Sequence, residues 1–209
     1  MSLVQIDFFA DFVCPWCYVG WEALKRAAEA RPHIRAPVAW RNFLLLPDMP
    51  LEGMDRRAYL ETNFDPERMA KTQSALNAAA AAAGVPLNLD AARRFPNTID
   101  AHRLVYWAAR AHRAEAAIDA VFAAYFVEGR DIGEAAVLQA VGAEAGLDPD
   151  EIGKMLAVTN ERAGVLTLND AAVRSGISGV PVAILGRKAV LMGAESPEKY
   201  GEALELAAA

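Results

Sequence analysis

The chemistry-bearing residues of this chain gather in one tetrapeptide, Cys14-Pro15-Trp16-Cys17, which holds both cysteines of the 209 residues. Two thiols separated by two residues lie about one turn apart on one face of a helix. The flanking sequence calls for a helix there. Val4 to Phe9 is a β-branched and aromatic run with strand character, bounded by Asp11. Pro15 suits the first turn of a helix, where a missing N–H costs nothing. From Trp16 to Arg31 apolar residues recur at helical spacing (Val19, Ala23, Leu24, Ala27, Ala28), and Pro32 ends the pattern. Cys14 then falls at the helix N-terminus, where unpaired backbone N–H groups and the helix dipole favour an anion. Cys17 falls one turn further in, suited to resolve a mixed disulfide from within. Thiol–disulfide exchange is the chemistry this spacing predicts, with Cys14 attacking and Cys17 resolving.

Half of a zinc site is the other use of such a pair. Structural zinc takes four ligands, and beyond the cysteines the soft ligands are His33, His102 and His112, no two of them closely spaced. No bound metal is expected. A disulfide framework would need more cysteines. A second feature lies far along the chain, where Gly179-Val180-Pro181 stands just ahead of the apolar run Val182 to Leu185. Proline at a strand start needs a reason.

The elements around these residues can be read in order. Val38 to Leu46 has strand character and stops at Pro47, so the first 46 residues read strand, helix, strand. From Pro47 to Leu168 the sequence is alanine-rich and helix-periodic, cut by breakers at Gly84-Val85-Pro86, Phe95-Pro96-Asn97-Thr98, Gly129 to Gly133 and Gly146-Leu147-Asp148-Pro149. Helices are expected over 55–83, 98–112, 114–127, 133–145 and 148–160, and from Glu161 to Ser175. Strand pattern returns at Val180 to Leu185 and, after a Gly186-Arg187 turn, at Ala189 to Met192. Ser196-Pro197 then opens a closing helix to Ala208. Neither end piece is long enough to fold alone. Together they predict an α/β fold of the form βαβ, large all-helical insertion, ββα, with one four-stranded sheet. Residues 1–46 and 169–209 form its discontinuous sheet domain, and residues 47–168 form a helical insertion domain.

Composition narrows the partners. Net charge is −6, and the densest basic spots, Arg56-Arg57, Arg93-Arg94 and Arg110 to Arg113, read as solvated helix faces. Nucleic-acid binding would need an extended basic surface, so no nucleic-acid partner is expected. No apolar run approaches the roughly 18 to 20 residues that cross a bilayer, so neither is a membrane. The opening residues MSLVQIDFFADF lack a basic stretch and carry Asp7 and Asp11, unlike a secretory signal. A cytoplasmic location is the expectation.

Several of these pieces combine into a resemblance. They are CPWC followed by Tyr18-Val19-Gly20, Asn97-Thr98 with Ala101-His102-Arg103-Leu104, Ala124-Tyr125-Phe126 to Asp131-Ile132, Gly179-Val180-Pro181 and Met192-Gly193-Ala194. With the helical insertion they resemble the DsbA superfamily over nearly the whole chain. Within it the chain looks like the FrnE-like branch, related to 2-hydroxychromene-2-carboxylate isomerases and kappa-class glutathione transferases. The resemblance implies a thioredoxin-like fold split by the helical domain, with a substrate groove between them. It implies catalytic roles for Cys14, Cys17 and Pro181, the proline in a cis peptide against the dithiol. Val180 would offer its backbone to an incoming peptide or glutathione, and Trp16 would shape the groove. Asn97 and His102 would face the site from the insertion, and Glu195 matches a position that holds the α-amino group of glutathione in relatives. Each has a simpler reading: Asn97 as a helix cap, His102 as a packing residue, Glu195 as a solvated acid before a helix. One departure is plain. Phe8 stands where thioredoxin and DsbA carry a buried acid, with Asp7 and Asp11 nearby at other offsets.

The expected activity is that of a thiol–disulfide oxidoreductase acting on disulfide- or thiol-containing proteins or glutathione. No cofactor is expected to be tightly bound, and glutathione is open as a co-substrate or reductant. Two alternatives stand beside it. One is a glutathione-dependent isomerase or transferase, although those relatives carry a serine at the Cys14 position and do not need Cys17. The other is a non-enzymatic peptide-binding or chaperone module, whose binding would survive loss of both thiols. The oligomeric state is open, a dimer included.

Overall fold

The computed structural model describes residues 1–209. Its elements run β1 (Ser2–Leu3), β2 (Ile6–Ala10), α1 (Pro15–Glu29), β3 (Ile34–Arg35) and β4 (Val38–Asn42). After them come β5 (Met54–Asp55), α2 (Arg56–Asn63), α3 (Pro66–Ala83), β6 (Arg94–Phe95), α4 (Ile99–Arg110), α5 (Ala114–Phe126), α6 (Ala135–Glu144), α7 (Pro149–Ala157) and α8 (Arg162–Arg174). The chain closes with β7 (Val182–Leu185), β8 (Ala189–Met192) and α9 (Pro197–Ala208). The main sheet has the order β4-β2-β7-β8. β2 lies parallel to β4, with Phe8 opposite Trp40, and antiparallel to β7, with Phe8 opposite Ala183. This is the expected α/β arrangement, with both end pieces contributing strands to one sheet.

Alternation along β2 decides which face meets α1. Ile6, Phe8 and Ala10 are fully buried while Asp7 and Phe9 are partly exposed. Phe8 packs on Trp21 of α1 at 5.7 Å between ring centroids. Tyr200 and Leu204 of α9 join the same hydrophobic core. The helical insertion docks onto α1 through a layer of rings. Phe122 of α5 stacks on Tyr18 at 5.0 Å and tilts against Phe12 at the same separation. Asp119 of α5 accepts from Trp21 Nε1 at 2.6 Å and from Lys25 Nζ at 2.7 Å. α8 runs through the 168/169 division between the expected domains. Its Val165 carbonyl accepts from Asn42 Nδ2 at 3.0 Å, and its Asn169 side chain accepts from the Leu44 amide at 2.8 Å.

Three expectations need correction. The stretch 55–83 is two helices, because Pro66 has no N–H to give an interior turn, and Asp65 caps the Arg68 amide at 2.9 Å to start α3. The strand from Val38 ends at Asn42 rather than Leu46, because after Phe43, which still donates to the Ala10 carbonyl at 3.0 Å, the amides leave the ladder. Leu44 donates to Asn169 Oδ1 and Leu45 donates to Asp11 Oδ2, both at 2.8 Å. The first strand is displaced to Ile6–Ala10, and the residues before it pair separately, β1 with β3.

The insertion has its own internal clamp. Arg103 is 2% exposed and donates to Asp100 at 2.6 Å, to the Met155 carbonyl at 2.8 Å and to the Val158 carbonyl. Its guanidinium also lies 4.8 Å from the Trp107 ring. It thus ties α4 to the C-terminal end of α7. Arg103→Met would leave the Val158 carbonyl without its donor and the Met155 carbonyl with only the Val158 amide, while Asp100 keeps Arg162. It is expected to cost about 2 kcal/mol in urea unfolding, the range for stranding a buried polar group. A loss under about 1 kcal/mol would show the clamp to be idle. Burial acts to raise the Asp100 carboxyl, but hydrogen bonds from Arg162 and Arg103 outweigh it and hold it below its ordinary value. Their contribution is therefore present above about pH 4 and lost as pH falls through the folded value.

Candidate active site

Cys14 is the N-cap of α1, with φ −93° and ψ 107°, and Pro15 takes the first helical position. Its Sγ accepts the Cys17 backbone N–H at 3.2 Å, a first-turn amide that it shares with the Cys14 carbonyl oxygen at 3.0 Å. As a thiol, Cys14 also faces the Val180 carbonyl oxygen at 3.7 Å. Cys14 is 5% exposed and Cys17 wholly buried, and both are free thiols. The Val180–Pro181 peptide is cis, and Pro181 is held at its carbonyl by the Gly193 amide at 2.8 Å. Two distant segments are thereby brought together at the mouth of α1.

The two sulfurs are not equivalent. Burial pushes the Cys17 thiol well above its ordinary range. The Cys14 hydrogen bond and charge add to the rise, as does the Asp11 carboxylate, while a backbone hydrogen bond at Asp11 works against it. Cys17 is a protonated thiol at neutral pH and needs a proton acceptor before it can attack. An unfolded thiol ionises at about pH 8.5 while the buried one does not, so the reduced protein loses stability as pH rises past that value.

Sequence reasoning named Asp11 without assigning it a place, and the structure gives it one. It is 1% exposed, just beyond the end of β2, and its backbone carbonyl accepts from the Cys14 amide at 3.2 Å. One carboxylate oxygen accepts from the Leu45 amide at 2.8 Å and the other lies 3.3 Å from His102 Nε2. Trp40 Nε1 sits 3.1 Å from His102 Nδ1. An indole N–H can only donate, so His102 accepts at Nδ1 and carries its hydrogen on Nε2, pointing at Asp11. Trp40, His102 and Asp11 form a buried chain of hydrogen bonds that ends three residues before Cys14. Asp7, the other nearby acid, lies on the opposite face of β2 and pairs with Arg41 at 2.7 Å.

The remaining expected site residues are placed as follows. Trp16 is half-buried at the second position of α1, and Val180 is half-buried against the core. Asn97 is buried, with Oδ1 accepting from the Ile99 amide at 3.1 Å and Nδ2 donating to the Met49 carbonyl at 2.7 Å. From the position before the Thr98 N-cap it holds the first amide of α4 and ties that helix to the loop after β4. His102 has both ring nitrogens engaged by protein partners. Glu195 pairs with Lys199 at 3.0 Å, just before the Ser196 cap of α9. Two surface cavities, of about 690 Å³ beside Arg56, Phe64 and Arg93 and about 360 Å³ beside Arg41, Tyr106 and Leu168, include neither thiol. No helix is long and apolar enough to cross a membrane.

A sheet of this order, two thiols at the start of its first helix and a helical insertion before β7 define a thioredoxin-fold protein of the DsbA type. The chain belongs to the DSBA-like thioredoxin domain family, whose family model matches residues 5–205. It is 26% identical over 202 residues to the uncharacterised protein YwbO of Bacillus subtilis (strain 168), with 96% of each chain covered. The crystal structure of a probable DsbA oxidoreductase, SCO1869 of Streptomyces coelicolor, superposes with a TM-score of 0.85 at 29% identity, covering 98% of this chain and 89% of that one. The cytosolic disulfide reductase DsbM of Pseudomonas aeruginosa, solved with GSH, shares the fold with a TM-score of 0.64 at 20% identity, covering 96% and 97% of the two chains.

Proposed function

We propose that the chain is a thiol–disulfide oxidoreductase in which Cys14 attacks and Cys17 resolves. The observation that carries this reading is the asymmetry of the pair. Cys14 Sγ sits at the cap, receiving the Cys17 N–H, while Cys17 is wholly buried one turn behind it. The Cys14 thiolate attacks a substrate disulfide, forming a Cys14–substrate bond and expelling the other substrate sulfur as a thiolate. Cys17 then gives its proton to the Asp11 carboxylate and attacks Cys14 Sγ. The substrate's second thiolate leaves, and the protein is left oxidised as the Cys14–Cys17 disulfide. An external thiol such as glutathione reverses these steps and restores the dithiol. Substrates are disulfide- or thiol-containing proteins or glutathione, approaching Cys14 between residues 1–46 with 169–209 and the helical residues 47–168. Trp16 and the Val180 backbone border that approach, with Pro181 packed behind them near Gly20 of α1. The location is cytoplasmic, in keeping with the reductase DsbM that shares the fold.

Insulin reduction with glutathione as electron donor tests the reading. Wild type should precipitate the insulin B chain well above the uncatalysed rate, and Cys14→Ser should fall to background. Equal rates for the two would reject dithiol chemistry. A glutathione-dependent isomerase would be the reading to pursue if Cys14→Ser instead kept or gained activity on hydroxychromene carboxylates.

A further inference from the structure

The hydroxyl of Tyr200 is buried and has no hydrogen-bond partner within the chain. Its side chain, on α9, is wholly excluded from solvent in the layer where α9 packs on α1. Phenylalanine would fill this space without stranding a polar atom, so the oxygen calls for an explanation. Its position supplies one. A Cβ placed on Gly20 of α1 would lie 3.2 Å from Tyr200 Oη and 3.2 Å from Pro181 Cγ. Cα–Cβ bonds lean toward the N-terminus of a helix, so that vector points over the preceding turn, and the residue on the same face of that turn is Cys17. The hydroxyl therefore sits between Pro181 and the turn of α1 that carries the buried thiol.

Burial first, and then negative charge on Cys17 and on Glu195, pushes the Tyr200 phenol well above its ordinary range, against the opposing pull of the Glu195 backbone N–H, which lies near the oxygen but outside hydrogen-bonding geometry. The phenol thus keeps its hydrogen wherever thiols react. The titratable groups that face it are Cys17 from α1 and Glu195 from the turn before α9. The Glu195 carboxylate is engaged with Lys199 at 3.0 Å. Of the two, the Cys17 sulfur is the one without a charged partner.

We infer that the Tyr200 hydroxyl is a hydrogen-bond donor held for the Cys17 sulfur in its anionic form, a role that rests on the dithiol reading above. When an external thiolate attacks Cys14 Sγ of the oxidised protein, the Cys14–Cys17 bond breaks and its electron pair leaves on the Cys17 sulfur. In the forward direction the same thiolate attacks Cys14 Sγ and expels the substrate thiolate. A fixed O–H stabilises that charge far more than it stabilises a neutral thiol, which is a weak acceptor. The hydroxyl is unpaired in the reduced protein, and the anion is the species that would draw it into a bond.

Tyr200→Phe deletes the donor and keeps the ring. In a Cys14→Ser background Cys17 is the sole thiol, and its ionisation can be followed by ultraviolet thiolate absorbance against pH. Loss of the donor should raise the Cys17 pKa by about one unit, a tenfold smaller thiolate fraction at a given pH. The urea midpoint should hold or rise, since an unpaired buried hydroxyl has been removed. A second variant carrying a fluorotyrosine at position 200 keeps shape and hydroxyl while strengthening the donor, and should move Cys17 the opposite way. A Cys17 titration that moves with neither change would overturn the inference and leave Tyr200 as packing. Both readouts are independent of turnover. Failure of the dithiol reading would appear as an inactive wild type, whereas failure of the Tyr200 role would appear as an unmoved titration in an active one.

Discussion

Cys17→Ser should accumulate covalent mixed disulfides through Cys14, whereas Cys14→Ser should trap none. The expectation follows from what each change leaves intact. Serine at position 17 keeps the backbone N–H that Cys14 Sγ accepts at 3.2 Å, so the attacking thiol retains its donor and its place at the helix cap. It removes the one thiol able to reach the adduct from within, because the chain has no other cysteine. An intramolecular thiol acts at a very high effective concentration, so its loss should lengthen the life of the adduct by about 10²-fold or more. The reciprocal variant leaves Cys17 wholly buried and strongly protonated, unable to meet a protein disulfide. Incubation with a disulfide substrate, quenching with acid and separation without reductant would show the adduct as a band that reductant removes. Trapping by Cys14→Ser with none by Cys17→Ser would reverse the assigned roles.

The parts of this site that can be read from sequence are those set by local rules. Pro15 after a strand, with apolar residues at helical spacing behind it, suffices to place Cys14 at a helix start and Cys17 one turn inside. The parts that cannot be read depend on side chains reaching across the fold. β4 stops at Asn42 because Asp11 and Asn169 take up the amides of Leu45 and Leu44, and Asn169 lies 125 residues further on. Nothing in the apolar run Phe43 to Leu46 announces that. Asp11 was hidden for a related reason. Strand alternation would set it with Asp7 on the outer face, but it lies past the last strand residue, where the chain turns to enter α1 and alternation no longer holds. Its partner His102 comes from α4, and Trp40, which donates to that histidine, from β4, so the buried chain they form has no contiguous signature. The break in the helix after Asn63 was legible in principle, since Asp65-Pro66 is a cap followed by a first-turn proline. Helix-forming residues on both sides, Arg56 to Thr62 before it and Glu67 to Ala83 after it, mask it. Tyr200 has no signal at all, because an unpaired hydroxyl is a property of packing.

Asp11→Asn should change the acidity of Cys17 and the rate of its attack in opposite directions. The Asp11 carboxylate is one of the groups holding the Cys17 thiol up, after burial and Cys14, so removing its charge should bring the Cys17 pKa down and enlarge the thiolate fraction at neutral pH. If Asp11 acted through its charge alone, resolution of a mixed disulfide would therefore speed up. As a proton acceptor it does more. Cys17 is wholly buried, and the carboxylate on the turn before Cys14, near enough to raise its thiol by charge, is the base we assign to take its proton without solvent entering the core. A positioned base contributes about 10²-fold or more to such a transfer, which exceeds what a modest gain in thiolate can return. Resolution near neutral pH should thus slow by about tenfold or more, and the deficit should shrink as pH rises and hydroxide does the work. The amide also sets its NH₂ against a donor, either His102 Nε2–H or the Leu45 amide, so some loss of stability is expected. Rapid-quench measurement of resolution from a preformed Cys14–glutathione adduct, across pH and beside the Cys17 titration, separates these effects. A lowered Cys17 pKa with faster resolution would reduce Asp11 to an electrostatic neighbour. A lowered pKa with slower, pH-rescued resolution would establish it as the group that receives the proton.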